Sequence, residues 1–331
     1  MLIPPKKVKT KKMQNRFEVN RRTATAVLAG GLVSGHESRT LNAAIETKRE
    51  EPLTLGMGTY ATKLLKTEKA IRLISDTGFD SVELTVNAGW DAAPENMPAQ
   101  RRVEISQQLK ASGLHLTSLM EHTVPSKDDA KAAENLKRIQ RAASLSRDLA
   151  THEPPVIQTV LGGGKWEEQK NLFVDRVSKW GEEAAKFGVT VLVKPHRGAA
   201  MSTPADGVWL VEKINNKHVR LCYDYSHFIY RDLDLVKTIH QAAPYTQHIA
   251  IKDTVKKPDG GFQFVLPGEA GTIDYVKLLQ TFYDDGYRGD ICCEVSGMVW
   301  SKPGYDPVAA VKTCYKNVAK VFSEAGIKRP A

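Results

Sequence analysis

The stretch that decides the fold is VRLCYDYSHFIYRDLDLVKTIHQAAPYTQHIAIKD, residues 219–253. It divides into an apolar strand (219–225), an amphipathic helix (232–242) and a second apolar strand (248–253). A strand, a helix and a strand in this order form the unit of a parallel sheet, because the helix returns the chain to the edge where the first strand began. Both strands carry polar residues that are capable of chemistry.

The same unit recurs along the chain. The predicted strands are 53–60, 81–86, 114–120, 154–162, 189–195, 219–225, 248–253 and 290–295. The predicted helices are 66–78, 98–113, one within 127–150, 167–187, 204–216, 232–242, 274–286 and 306–325. About eight such units in roughly 275 residues are typical of a single (β/α)8 barrel, the TIM barrel. An open doubly wound sheet would alternate in the same way, but no Gly-x-Gly-x-x-Gly motif follows the first strand. We therefore predict an α/β fold with one TIM barrel.

Polar residues lie in the last three predicted strands or directly after them. Asp224 and His227 belong to DYSH, His248 begins HIAIKD, and Glu294 lies in ICCEV. All strands of a parallel barrel end at the same face, so we expect these side chains to converge at one mouth. Two carboxylates and two imidazoles can hold a divalent metal. The sequence therefore predicts a metal-type site.

The net charge of +9 is concentrated at the amino terminus. Residues 1–36 contain eight Lys and Arg residues and one Glu, a net of +7, which leaves +2 for residues 37–331. A body with so little basic excess is poorly suited to neutralising many phosphates. The charge pattern therefore argues against a nucleic-acid partner.

The amino terminus resembles a secretion signal of the twin-arginine type. The pair Arg21–Arg22 precedes a short apolar run, TATAVLAGGLVSG (23–35), which is too short to span a bilayer. A disordered basic tail beside an Ala-rich helix is the alternative. No Cys lies near residues 30–45, so we expect no lipid anchor and no stable membrane anchor. We predict a signal peptide (1–36), a polar linker (37–52), the barrel (53–326) and a tail (327–331), with export from the cytoplasm.

Several motifs resemble the xylose-isomerase-like barrel superfamily, which includes sugar isomerases and epimerases, inosose dehydratases and type-IV AP endonucleases. The motifs are Glu83 in DSVEL, Pro195–His196 after the fifth strand, DYSH (224–227) and HIAIKD (248–253). The strongest match is LPGEAGTIDYVKLLQTFYDDGYRGDICCEVS (266–296). The resemblance covers roughly residues 53–326 and is most specific in the carboxyl half.

The resemblance implies one divalent metal, Mn, Zn, Co or Mg, held by a Glu, an Asp, a His and a second Glu at the ends of the last four strands. Carried over to this chain, the last three ligands are Asp224, His248 and Glu294, whereas the first falls on Lys194. A protonated lysine has no lone pair and cannot be a metal ligand.

Three interpretations of Lys194 stay open at this point. In the first, a metal binds the other three ligands, and a neutral Lys194 amine acts as the general base. In the second, the Lys194 ammonium replaces the metal, pairs with Asp224 and Glu294 and stabilises an enolate. In the third, Lys194 pairs in a dead site, and the chain only binds sugar.

Other residues are predicted to surround this centre. Glu294, Lys194 and His196 are the predicted catalytic residues. The predicted substrate contacts are His227, His122, Gln158, Arg197 and Trp300. His122 and Gln158 could instead be ordinary polar rim residues, His227 a hydrogen-bonded rim residue, and Arg197 could be solvated. An ion pair between Lys252 and Asp253 is expected beside His248, and the Gly-rich segment 254–273 is expected to be a loop on the active face that can form a lid.

The predicted function is that of an exported sugar isomerase or epimerase, or a related keto-sugar lyase. All of these reactions begin by moving a proton beside a carbonyl. The expected partner is a small sugar or keto-sugar and not nucleic acid. An AP endonuclease is disfavoured because such relatives need further His and Asp ligands. A non-catalytic sugar-binding protein with a degenerate metal site is the alternative.

Overall fold

The computed structural model describes residues 50–330. The predicted signal peptide and nearly all of the predicted linker lie outside the described residues.

Eight parallel strands close into a barrel, which confirms the predicted fold. The strands of the structure are β1 (Thr54–Gly58), β2 (Ser81–Thr85), β3 (His115–Met120), β4 (Val156–Thr159), β5 (Val191–Val193), β6 (Val219–Tyr223), β7 (Thr246–Ile251), β8 (Asp253–Lys256), β9 (Phe262–Val265) and β10 (Asp290–Cys293). The barrel order is β1-β10-β7-β6-β5-β4-β3-β2, with every neighbour parallel. The last four strands around this ring, β5, β6, β7 and β10, are therefore consecutive.

Helices surround the barrel and connect its strands. They are α1 (Thr67–Thr77), α2 (Ala99–Ala111), α3 (Asp129–Leu149), α4 (Trp166–Ala185), α5 (Pro204–Ile214), α6 (Leu235–Ala242), α7 (Tyr275–Asp284), α8 (Gly297–Trp300) and α9 (Pro307–Ala325). α1 buries Ala70, Ile71 and Ile74 at helical spacing. α5 begins with a capping box between Thr203 and Asp206 and with Pro204 at its first position.

The segment 254–273, predicted as a loop, contains an antiparallel hairpin formed by β8 and β9. The turn sequence PDGG (258–261) reverses the chain, and Gly260 adopts a φ of 79°, which is favourable only for glycine. The Asp253 carboxylate fixes the return of this segment, because it accepts hydrogen bonds from the Ala270 and Gly271 amides at 3.0 and 2.9 Å. The hairpin therefore starts directly at the end of β7.

The carboxyl-terminal residues pack on the barrel, so the folded body extends beyond the predicted boundary at residue 326. Ile327 is buried, and the Leu53 amide donates to the Lys328 carbonyl at 3.1 Å. Arg329 forms an ion pair with Asp80 at 2.8 Å. These contacts place the end of the described chain beside β1 and β2.

Within residues 50–330, no helix combines the length and the apolar character that crossing a bilayer requires.

Candidate active site

Four charged side chains converge at the carboxyl-terminal mouth of the barrel. Each is the first residue after its strand, and we call them the mouth quartet: Lys194 after β5, Asp224 after β6, Lys252 after β7 and Glu294 after β10. All four are at most 6% exposed. They come from consecutive strands of the ring, which is why one short row of strand ends brings them together.

Two lysines neutralise two carboxylates within this quartet. The Lys252 ammonium bridges both acids: it donates a short hydrogen bond to Asp224 Oδ2 and lies 2.6 Å from Glu294 Oε1. The Lys194 Nζ lies 2.5 Å from Glu294 Oε2. The quartet therefore has no net charge when all four groups are ionised.

The electrostatics keep the quartet ionised. Burial lowers the pKa of Lys194, but the surrounding acidic groups, chiefly the adjacent Glu294 carboxylate, together outweigh burial and raise that pKa above its ordinary value. Burial raises the pKa of Glu294, but Lys194 and Lys252 outweigh it and hold that pKa well below its usual range. The pKa of Asp224 is also lowered, chiefly by Lys252 acting against burial. A Lys194 held as an ammonium does not match the interpretation in which its neutral amine is a base.

Two imidazoles lie beside the quartet. The rings of His196 and His227 are 3.9 Å apart between centroids, and His227 Nε2 is 3.3 Å from Asp224 Oδ2. Both His227 nitrogens are buried without a hydrogen-bond partner among the residues that the structure describes. Burial, with the positive Lys252 nearby, lowers the pKa of His227 to about 4. Burial and the neighbouring His227 lower the pKa of His196 to about 2, so both rings are neutral at pH 7.

A third imidazole approaches from the β3 side. His122 follows Glu121 at the end of β3, and its backbone amide donates to Asn87 Oδ1 at 2.6 Å. Its Nε2 is buried and has no partner within residues 50–330. Burial and the Lys194 ammonium lower its pKa to about 4. In the ring, β4 separates β3 from β5, so His122 comes from a different side of the mouth than His196 and His227.

An aromatic wall borders the His122 side of the mouth. Tyr60 stacks on Trp90 with centroids 5.1 Å apart, and Trp300 stands nearly perpendicular to both rings. The Trp300 indole nitrogen is buried without a partner in the described part of the chain. Aromatic faces with a free N–H donor suit the C–H surfaces and hydroxyls of a sugar.

The β8–β9 hairpin covers the opposite side. Phe264 from β9 contacts the His227 ring edge-on at 5.5 Å. The Arg197 guanidinium lies over the rings of Phe262 and Tyr230, and its Nη1 has no hydrogen-bond partner among residues 50–330. The predicted lid segment thus lies against the imidazole pair, and Arg197 lies between the lid and the mouth.

The structure does not bring His248 together with Asp224 and Glu294. His248 lies within β7, and its Nε2 is 3.5 Å from Glu83 Oε2. Along a strand, residues 248 and 252 both face inward but stand about 13 Å apart, at about 3.3 Å per residue. The residue that β7 delivers to the mouth is therefore Lys252, and the predicted three-ligand set is not assembled.

The predicted ion pair between Lys252 and Asp253 is also absent. Successive strand residues point to opposite sides, so Lys252 faces the mouth while Asp253 binds the amides of the following segment. The sequence signal for Lys252 was its position directly after a strand, the same signal that identified Asp224 and Glu294.

A second polar group, which we call the lower cluster, lies deeper in the barrel and consists of Glu83, Gln158, His248 and Asp290. Gln158 donates to Glu83 Oε2 at 3.0 Å, so this predicted substrate contact lies below the mouth. The Asp290 carboxylate accepts from Thr54 and Thr117 at 2.7 and 3.0 Å, and from Ser81. Burial lowers the pKa of His248, but Glu83 outweighs it and raises that pKa.

One group of three potential metal ligands exists within the described residues: His248, Asp290 and Cys292. The Asp290 oxygens already accept three hydroxyl hydrogen bonds, and burial raises the Cys292 pKa well above its ordinary value, so the thiol is protonated. At the mouth, both carboxylates contact ammonium groups that would repel a cation. The mouth residues therefore do not fit the divalent metal that the sequence predicts.

A family model described as xylose isomerase-like TIM barrel matches residues 71–320. The inosose dehydratase of Geobacillus thermodenitrificans (strain NG80-2) is 25% identical over 137 residues, 37% of this chain and 46% of that protein. A putative hydroxypyruvate isomerase of Mus musculus is 26% identical over 152 residues, 42% of this chain and 52% of that protein. The chain spans about half the length of these curated relatives.

Among solved structures, the IOLI protein with a bound zinc atom superposes with a TM-score of 0.68 at 19% identity. The match covers 82% of this chain and 99% of that protein. At this identity, the likeness concerns the fold.

Proposed function

Because the chain belongs to the xylose isomerase-like TIM barrel family, we propose that it is a sugar-active isomerase, epimerase or keto-sugar lyase that removes a proton beside a carbonyl. The observation that carries this proposal is that unpartnered nitrogens of the neutral His227 and His122 rings lie at the same mouth as buried ammonium groups. The first group can accept a proton, and the second can stabilise the negative charge that results.

The ammonium groups act on the carbonyl oxygen. With the substrate carbonyl against Lys194 or Lys252, the enolate oxygen gains charge opposite a fixed cation in a site shielded from water. Each such donor is worth about 100- to 1000-fold in rate in comparable sites. Each oxygen of the Glu294 carboxylate contacts an ammonium group, so its role is to orient these groups and not to act as the base.

The imidazoles handle the proton. His196 or His227 takes it from the carbon next to the carbonyl, and the electron pair of that C–H bond becomes the enolate. The imidazolium so formed returns the proton to the adjacent carbon in isomerisation. In epimerisation, the enolate takes a proton on its other face from a His122 that solvent has protonated, and His196 or His227 releases its proton to solvent. Loss of a β-hydroxyl from the same enolate gives a lyase. His196 and His227 are neutral at pH 7 and can accept the proton, and their lowered pKa makes the imidazolium a ready donor for its return.

Substrate contacts follow from the buried polar atoms that lack partners within residues 50–330. His227, Arg197 and Trp300 offer such atoms at the mouth, and we assign the substrate hydroxyls to them. Gln158, with its free Oε1, supports Glu83 from below and closes the floor of the site.

We also propose that the protein is exported. This rests on the Arg21–Arg22 pair and the apolar run 23–35, which resemble a twin-arginine signal. Export would favour unphosphorylated sugars or oxidised sugars as substrates, since phosphorylated metabolites are cytoplasmic.

A non-catalytic sugar-binding protein is the second candidate. One observation favours this candidate: lysine ammonium groups form ion pairs with both carboxylates at the mouth. A binding protein would hold the sugar without exchanging its protons.

Proton exchange with solvent separates the two candidates. The protein is incubated in D2O with a panel of keto-sugars and keto-glycosides, and deuterium at the carbon next to the carbonyl is followed by NMR. The proposal predicts exchange for at least one compound, lost in Lys194→Met. Tight binding of a compound whose protons never exchange would favour the binding protein instead.

A further inference from the structure

We propose that the Lys252 ammonium takes the place of the catalytic metal at this mouth, so that the site works without a divalent cation. The catalytic part of this inference rests on the proposed function, whereas the part that concerns cation binding does not. Lys252 is the member of the quartet that bridges the two carboxylates, as a bound cation would.

The position of Lys252 supports this assignment. It follows β7, which lies between β6 and β10 in the ring, and so its side chain reaches the gap between Asp224 and Glu294. Its Nζ is 2.6 Å from Glu294 Oε1 and makes a short hydrogen bond to Asp224. One cationic atom thus contacts an oxygen of each acid, and the side chain is 2% exposed.

A metal ion could enter only by displacing this ammonium. His227 Nε2, 3.3 Å from Asp224, could serve as a further ligand, so ligand chemistry alone does not keep a cation out. The obstacle is Lys252 itself. If it were expelled from both carboxylates, it would be a buried charge beside Phe264, and such unpaired charges are strongly destabilising. Lys194 at Glu294 adds a second repulsive charge.

The chemistry then needs no external reagent. The Lys252 ammonium has three N–H bonds, of which two point at Asp224 and Glu294, and the third donates to the substrate carbonyl oxygen. The C–H proton passes to an imidazole nitrogen, and the enolate oxygen is held by the ammonium until the proton returns. Nothing is oxidised or reduced.

Manganese binding tests the inference without a substrate. Free Mn²⁺ gives a characteristic electron paramagnetic resonance signal that falls when the ion binds to protein, so uptake by the full purified chain is read directly. We expect one of two results. The wild type leaves the signal unchanged, or the wild type and Asp224→Asn take up Mn²⁺ equally well, which would place the ion outside the mouth. Uptake by the wild type that Asp224→Asn abolishes would overturn the inference. Glu294→Gln replaces Asp224→Asn in this comparison if the latter does not fold.

A double variant tests the opposite change, in which the removal of both ammonium groups should allow a metal ion to bind. Lys194→Glu with Lys252→Ala removes both ammonium groups and supplies a third carboxylate beside Asp224 and Glu294. We expect it to bind one Mn²⁺ about 100-fold or more tightly than the wild type, since no buried ion pair has to break. The exposed hairpin residue Lys256, as Lys256→Ala, is the control and should not change binding.

A folded double variant that takes up no Mn²⁺ would contradict the inference, because the lysines would then not be what excludes the ion. If the double variant does not fold, the comparison of wild type and Asp224→Asn still decides. Failure of the proposed function would appear as absent turnover in the keto-sugar assay with the Mn²⁺ results unchanged, so the two failures are distinguishable.

Discussion

The mouth quartet and the lower cluster are two buried polar groups in one barrel, yet their hydrogen bonding differs. In the lower cluster, hydroxyls from three strands satisfy Asp290, and Glu83 lies beside His248. At the mouth, the carboxylates are satisfied by lysines, but both His227 nitrogens and His122 Nε2 have no hydrogen-bond partner among residues 50–330.

This difference distinguishes buried polar groups that stabilise the fold from those that can bind a ligand. Buried polar atoms without partners are costly to the fold, and they persist where a ligand supplies the missing contact. Within the lower cluster, the Asp290 carboxylate is saturated by hydroxyls and offers nothing to a substrate, although Gln158 Oε1 and His248 Nε2 have no hydrogen-bond partner within residues 50–330. The comparison therefore predicts that changes at the mouth affect turnover and that changes at Asp290 affect stability.

The largest effect is expected for Lys252→Met. This change removes the ammonium that faces the carbonyl, and the rate of proton exchange should fall by about 1000-fold. Exchange is measured by NMR in D2O, and circular dichroism checks that the variant folds. Lys256→Met is the matched control and should keep wild-type activity. Wild-type exchange in a folded Lys252→Met protein would contradict the assignment of Lys252 to the reaction.

The next effect concerns the lower cluster. Asp290→Ala leaves three hydroxyls without their acceptor and removes one of the two carboxylates beside His248, and we expect the free energy of unfolding to fall by about 3 kcal/mol. Urea unfolding measures this loss. The turnover of the folded fraction should stay within about threefold of wild type, because Asp290 lies below the mouth. A large loss of turnover with unchanged stability would reverse the roles of the two clusters.

The two clusters should also contribute to the free energy of unfolding with opposite pH dependence. The folded-state pKa of His227 is about 4, below the ordinary 6.5, so only the unfolded chain gains this proton as the pH falls. Relative to His227→Gln, the wild type should therefore lose up to about 3 kcal/mol of stability between pH 6.5 and pH 4.

His248 should behave in the opposite way. Its pKa is raised in the folded protein, so its contribution is present below pH 6.5 and is lost as the pH rises through the folded value. Urea unfolding of His248→Gln, His227→Gln and the wild type at several pH values measures how the contribution of each histidine to the free energy of unfolding changes with pH. If both contributions changed with pH in the same direction, His227 and His248 would not differ in protonation as described.

The smallest effect is expected at the aromatic wall. Trp300→Phe keeps an aromatic face but removes the unpartnered indole N–H, and we expect KM to rise about tenfold with kcat nearly unchanged. Steady-state kinetics on the keto-sugar that exchanges measures both constants. A fall in kcat with constant KM would instead place Trp300 at the reacting atoms.

The strands and helices could be predicted because apolar runs and amphipathic segments alternate so regularly, and because parallel strands must end at one face. The same rule correctly placed Lys194, Asp224 and Glu294 together. The rule applies equally to Lys252, but the family resemblance indicates His248, four residues earlier, as the residue of this strand at the mouth. The register of β7 decides between the two residues, and a sequence pattern alone does not give the register.

Other features could not be predicted for a different reason. The contacts of the β8–β9 hairpin with His227, and the packing of residues 327–329 on β1, depend on long-range contacts that have no local signal. The unpartnered nitrogens are also visible only once the neighbours of each ring are known. The twin-arginine signal and the export that it implies lie outside the described residues and stay predictions.

The most direct test of the account is the rate of solvent deuterium exchange into the reactive keto-sugar before and after exhaustive dialysis against a chelator. If Lys252 and Lys194 replace the metal, the exchange rate should be the same in both samples, and it should not rise when Mn²⁺ or Zn²⁺ is added. A rate that disappears with the chelator and returns with either ion would contradict it.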